Sequence, residues 1–253
     1  MKLPLIRGVI DRRILANYRV DSDVLARLLP SPFRPKLASG YGVAGMCLIR
    51  LKKIRPRGVP GWLGISSENA AHRIAVEWED PASGVKREGV YIPRRDSSSK
   101  LNVLAGGRIF TGVHHHARFE VRETNREFHI DIRSDDGVTR VLVDARLAGA
   151  LPAGSVFGDL GTASAFFEGG SLGYSSGRDG ERLDGLELRS MGWRVEPLAV
   201  ERIGSSFFDD VGRFPPGSIQ FDCALLMRGI EHEWHEREPM CVGAACTTAS
   251  AVQ

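Results

Sequence analysis

Lysine is scarce in this chain and confined to its first hundred residues. Of 34 basic side chains only six are lysine: Lys2, Lys36, Lys52, Lys53, Lys86 and Lys100. Schiff-base chemistry therefore has six positions to draw on and none beyond Lys100. Cysteine is also sparse, with Cys47, Cys223, Cys241 and Cys246. No CxxC pair occurs, and the spacing of the last two is too loose for half a zinc site. Cys47 and Cys223 lie in apolar runs and read as small buried residues. A reducing cytoplasm is the simplest compartment for such cysteine usage.

Long apolar runs are missing as well. No stretch approaches the about 20 apolar residues that cross a bilayer, so no membrane is expected as a partner. The opening MKLPLIRGVIDRR has no apolar core of signal-peptide length. No run of like charge occurs, and the formal charge is only +3. The cluster Lys52, Lys53, Arg55 and Arg57 reads as a solvated loop. Without a sustained positive face, nucleic acid is not expected as a partner. Ser66-Ser67 and Ser205-Ser206 lack the GxSxG pattern of a nucleophile elbow, and neither a phosphate loop nor a dinucleotide fingerprint is present. No motif calls for a cofactor.

What is present is an ordinary globular composition, 42% apolar and 26% charged over 253 residues. A chain of this length buries a sizeable core in one β-rich domain. IDRRILANYRV suits a strand, and VDSDVLARLL a short helix capped by Asp21 or Ser22 and stopped by Pro30. HRIAVEWED and KREGVYIP alternate around a hairpin turn. ARFEVRET, REFHIDIRSD and VTRVLVDARL continue as an antiparallel meander, with Asp136-Gly137 as a turn. SSSKLNVLAGG and GTASAFFEGG read as short helices. These elements predict an α+β, β-rich domain over residues 1–240, and a flexible tail of small and polar residues over 241–253.

Several stretches together resemble one family. NYRVDSDVLARLLPSPF is similar to the opening of the acetoacetate decarboxylase superfamily. GRIFTGVHHHAR sits where that superfamily has a Gly-Arg-Glu segment followed by a lysine pair. SSENAAHRIAVEW, GVYIPRRD, SSFFDD and FPPGSIQFDCALLMR make the chain closer to its DUF2071 branch. The resemblance implies a curved antiparallel sheet or cone-like barrel with a few short helices around a small-molecule pocket. It implies a small organic acid or ketone as ligand. Relatives of the superfamily assemble into oligomers, so a homo-oligomer is expected, with no feature here fixing a number.

The resemblance also isolates a departure. Gly107-Arg108 matches the family's Gly-Arg, and the lysine pair falls on His115 and His116. Histidine forms no iminium, so decarboxylation through a Schiff base is not expected. Lys100, at the start of a short helix, is expected to be exposed.

Three readings of the histidine run stay open. On a strand, His114 and His116 share a face and His115 takes the other. Such a pair ligates a metal if His72, Glu68 or His129 supplies a third ligand. Alternatively, His115 is a proton carrier with Glu68, near the family's pocket carboxylate, as its partner. The third reading is a polar pocket lining without turnover. The leading expectation makes His115 and Glu68 catalytic, with Arg108, His114, His116, Asn69 and Arg94 binding the substrate and no metal. Its competitor is a non-catalytic binding protein on the same scaffold. Arg12 and Arg13 lie near a pocket arginine of the decarboxylases, with the register open between them. HEWHE, with His232 and His235, is not HExxH and reads as a solvated terminal strand or turn.

Overall fold

The computed structural model describes residues 5–80, 83–105, 112–177 and 180–241. The strands are β1 (Ile6–Val20), β2 (Arg34–Pro35), β3 (Leu37–Ala38), β4 (Tyr41–Pro56), β5 (Ile65–Glu79), β6 (Lys86–Ser97), β7 (His114–Glu123), β8 (Glu127–Ser134), β9 (Arg140–Leu147), β10 (Leu172–Ser176), β11 (Arg182–Ser190), β12 (Glu196–Ser205) and β13 (Ile219–Cys241). Three short helices interrupt them: α1 (Ser22–Ala26), α2 (Lys100–Ala105) and α3 (Leu160–Glu168). Each helix start has a polar side chain to cap it. Asp21 accepts from the Asp23 amide at 2.9 Å, Ser99 from the Asn102 amide at 3.3 Å, and Asp159 from the Thr162 amide at 2.9 Å.

All thirteen strands join one curved sheet, which closes on itself twice. The pairing order runs β11-β10-β6-β7-β8-β9-β12-β13-β1-β4-β5-β2, and β5 also pairs with β6. That pairing makes a first ring of β5, β6, β7, β8, β9, β12, β13, β1 and β4. β11 also pairs with β13, making a second ring from β10, β11, β13, β1, β4, β5 and β6. Closure removes most of the sheet's open edges.

The expected antiparallel meander holds for β7 to β9, but the sheet as a whole is mixed. β6 pairs in parallel with both β7 and β10. Parallel neighbours need a crossover rather than a tight turn. The segment carrying α2 supplies it between β6 and β7.

Strands shared by the two rings carry apolar residues on both faces. In β1, Ile14, Ala16 and Tyr18 enter the larger core inside the first ring, with Ile130, Ile132 and Leu226. Leu15 faces the other way, with Phe157, Ala163 and Phe167 of the α3 region. This explains why the second half of β1 is almost continuously buried.

Of the two C-terminal histidines, His232 departs from the expected solvated position. β13 continues as a paired strand to Cys241, and His232 is only 1% exposed, its ring 4.8 Å from that of Trp234. The strand is paired with β1 on one side and β11 on the other, and His232 points to the buried face while Glu231 and Glu236 stay exposed. The predicted tail beyond Cys241 lies outside the described residues.

His72 of β5 is buried with its Nε2 2.8 Å from Ser205 Oγ. Burial, aided by the charges of Arg94 and Arg213, lowers its pKa from 6.5 to about 3. The unfolded chain therefore binds a proton that the folded chain refuses between these values. The stability this contributes is complete above pH 6.5 and is lost as pH falls toward 3. Replacing His72 by Gln should remove on the order of 2 kcal/mol of the stability loss between pH 7 and 4.5. Urea unfolding at the two pH values measures it, and an unchanged loss contradicts the assignment.

Candidate functional site

The second ring encloses a cavity of about 150 Å³. Its wall can be read from the strand registers. Cys47 of β4 stands opposite Leu15 of β1 and Ala71 of β5. Ala71 stands opposite Arg95 of β6, and Arg95 opposite His114 of β7. Neighbouring residues in such a row present side chains to the same face. Ala71 is small, so it leaves space between Cys47 and Arg95. Arg13 of β1, one row away, faces the cavity and donates through Nε to Cys47 Sγ at 3.2 Å. Arg73 of β5 lies two residues beyond Ala71 and lines the same space.

Three arginines thus share one cavity. Their polar contacts are neutral or thiol groups: Asn17 Oδ1 for Arg73, Ser175 Oγ for Arg95 at 3.1 Å, and Cys47 for Arg13. Among the described residues, none of the three has an ion pair with a carboxylate. Arg73 is 4% exposed, and its Nε has no hydrogen-bond partner. Burial lowers the pKa of Arg73 and of Arg95 to about 10, and the charge of Arg13 adds to the effect at Arg73 while Cys47 opposes it. Both remain cationic at neutral pH. Buried charges are normally paired, so this arrangement favours an anion in the cavity.

His114 lines the cavity beside Arg95. Burial first, and then Arg95, lowers its pKa to about 3. Its Nδ1 faces the Gly112 carbonyl oxygen at 3.4 Å, a contact in which nitrogen donates. Asn69 lines the cavity within an amide and hydroxyl network. It donates to Ser67 Oγ at 2.9 Å and accepts from Ser97 Oγ at 2.7 Å, while Asn102 of α2 donates to Ser67 Oγ at 3.2 Å. This network ties α2 to the cavity wall.

The remaining sequence-predicted residues are elsewhere or differently engaged. His115 Nδ1 is 3.1 Å from Asp136, and His116 Nδ1 is 2.7 Å from Asp135. Glu68 lies on the opposite face of β5 and accepts from Arg12 at 2.6 Å and Arg50 at 2.5 Å, so the expected His115–Glu68 pair is not formed. Adjacent strand positions point to opposite faces, which separates Glu68 from Asn69. Arg94 binds Asp96 at 2.7 Å and Asp136 at 2.9 Å, and Arg95, not Arg94, faces the cavity. Arg108 lies outside the described residues. His129 pairs with Asp144 at 2.6 Å. Among the described residues, no group of three His, Cys, Asp or Glu side chains is placed to hold a metal ion. The three consecutive histidines have three different partners.

Sequence reasoning did not single out Arg73 or Cys47 for a cavity, and it named Arg94 where Arg95 is the neighbour that lines this one. Two signals were available. Arg73 interrupts the apolar run AAHRIAV, where a charge needs a reason. Arg94 and Asp96 are two apart on one strand face, so their pairing turns Arg95 to the other.

The sequence profile of DUF2071, described as an uncharacterized conserved protein family, matches residues 10–213. No curated protein matches the chain. Among solved structures, acetoacetate decarboxylase from Legionella pneumophila is similar at 12% identity and a TM-score of 0.58, over 95% of this chain and 88% of that one. The enduracididine biosynthesis enzyme MppR, complexed with pyruvate, is similar at 12% identity and a TM-score of 0.60, over 95% and 91%. An acetoacetate decarboxylase-like enzyme from Sphingomonas wittichii is similar at 10% identity and 0.60, over 96% and 94%. At such identities the likeness concerns the fold.

Proposed function

The chain belongs to the DUF2071 family, built on an acetoacetate decarboxylase-like fold, and from that premise we propose that it binds a small organic acid in the second-ring cavity and acts on it by acid–base chemistry, without a Schiff base. The observation that carries this reading is the convergence of Arg13, Arg73 and Arg95 on one cavity without a carboxylate partner among the described residues. A carboxylate supplies the missing charge and can accept two parallel N–H bonds from one guanidinium.

His114 takes the place that the sequence suggested for His115. An anion held at Arg95 offsets part of the charge that depresses the imidazole. Binding therefore raises the basicity of the imidazole. Asn69 positions the wall and α2. Arg108 remains a proposed anion anchor of the same site, on the resemblance alone.

The pyruvate complex of the similar MppR structure makes pyruvate the first probe. Calorimetric titration should show saturable one-site binding, and an absence of binding for pyruvate, acetoacetate and other small keto acids contradicts the proposal. Borohydride added with acetoacetate should leave no adduct on intact-mass analysis. Lys100 is exposed, and no lysine is among the described residues lining the cavity. A trapped adduct on any lysine would restore the Schiff-base mechanism.

A further inference from the structure

We propose that Cys47 is a nucleophile that bonds reversibly to the carbonyl carbon of a 2-keto acid held by the cavity arginines. The inference rests on the reading of the cavity as a small organic acid site.

The thiol occupies the centre of the charged wall. Arg13 touches it directly, its Nε 3.2 Å from Sγ. Arg95 faces the same space from across Ala71. Arg73 stands opposite Gly45, two residues from Cys47 on the same strand. Arg73 also supplies the independent sign of a ligand, being buried on this cavity with an unpartnered Nε. Cysteines that react in proteins sit in electropositive surroundings with access to a ligand, and Cys47 has both.

Competing nucleophiles on the wall are weaker. No described lining residue is a lysine. The Ser67 hydroxyl receives two amide N–H groups, at 2.9 and 3.2 Å, and has no basic partner. Cys223, the other described thiol, shares the α3-side core with Cys47 but is fully buried and does not line the cavity, and burial pushes its pKa up to about 12. It provides an internal comparison.

The step is an addition. A carbon–sulfur bond forms as the carbonyl π bond opens, and the thiol proton ends on the former carbonyl oxygen. The product is a tetrahedral hemithioketal, nothing is oxidised or reduced, and reversal regenerates the keto acid. The carboxylate remains free to contact the arginines.

The test uses the full chain with Cys241→Ser and Cys246→Ser, which leaves Cys47 and Cys223. Iodoacetate should alkylate Cys47 about tenfold faster than iodoacetamide, reversing the order of a free thiol by roughly the effect of one charge-assisted contact. Cys223 should stay unmodified in folded protein, and pyruvate should protect Cys47. Carbon-13 at C2 of bound pyruvate should move from a carbonyl to a tetrahedral resonance, and the new signal should vanish in Cys47→Ala. If calorimetry shows pyruvate bound while C2 stays trigonal and Cys47→Ala binds equally, the covalent step fails and the binding reading stands. If pyruvate neither binds nor protects, the binding reading fails and takes the covalent step with it. A Cys47 inert to both reagents overturns the proposal directly.

Discussion

Replacing Arg95 with Met should lower pyruvate affinity about a hundredfold and raise the melting temperature of the ligand-free protein. Loss of affinity follows from removing a charged donor. Hydrogen bonds to charged groups contribute about 1.5–3 kcal/mol, and a factor of a hundred lies near the upper end of that range. The gain in stability follows from the same geometry. Among the described residues Arg95 holds its charge in the cavity against only the Ser175 hydroxyl, with its pKa lowered by burial. An apolar side chain of similar length avoids that cost. Opposite signs for affinity and stability are the mark of a residue kept for binding. An ordinary structural arginine gives the reverse, a loss of stability and little change in binding. Arg94→Gln is the control, because Arg94 is held by Asp96 and Asp136 and does not itself line the cavity: it should leave pyruvate affinity within about twofold and lower stability. Calorimetry with thermal unfolding separates these outcomes, and a wild-type dissociation constant for Arg95→Met would sink the assignment of the anion site.

Glu68→Gln should cost about 3 kcal/mol of folding stability and leave pyruvate affinity unchanged. Arg12 is 2% exposed and is held by Glu68 and Glu123, each at 2.6 Å. Arg50 bridges the same two carboxylates at 2.5 Å. Breaking a buried ion pair by removing one partner is strongly destabilising, because the other charge stays uncompensated. Glu123 remains, which keeps the expected loss at the lower end of the known range. Glu68, Arg12, Arg50 and Glu123 thus form a clamp joining β5, β1, β4 and β7 on the face away from the cavity. Urea unfolding and calorimetry on the same samples decide the point. Unaltered stability with weakened binding would return Glu68 to the ligand site.

Individual strands were legible because their side chains alternate. HRIAVEWED, REFHIDIRSD and VTRVLVDARL each carry a two-residue period that requires no distant information. The cap of α1 was equally local, with Asp21, one of the two residues expected there, accepting the Asp23 amide. The scarcity of lysine was visible at once, and it narrowed any Schiff-base chemistry to six positions. The buried state of Cys47 and Cys223 was likewise apparent from their apolar neighbours.

Facing was harder. His114, His115 and His116 are identical in type, and alternation says only that the middle one differs. Which face meets a cavity depends on what β7 pairs with, and that partner is β6, joined in parallel through a crossover. Glu68 illustrates the same limit. A register one residue different would have placed it where Asn69 lies. Local pattern fixes neither register nor ring closure, because both arise from contacts between strands far apart in the chain.

By itself, then, the sequence determined a β-rich chain, its turns and caps, its family likeness and the confinement of lysine to six positions up to Lys100. These are properties of local periodicity, composition and motif. Only the tertiary structure decided that the sheet closes twice, that Arg13, Arg73 and Arg95 meet around Cys47, and that Glu68 and His115 part company. The physical reason is that a closed sheet brings together residues from β1, β4, β5 and β6 by cross-strand hydrogen bonding. A site of this kind is a property of register, and register is settled by the packing of all the strands together.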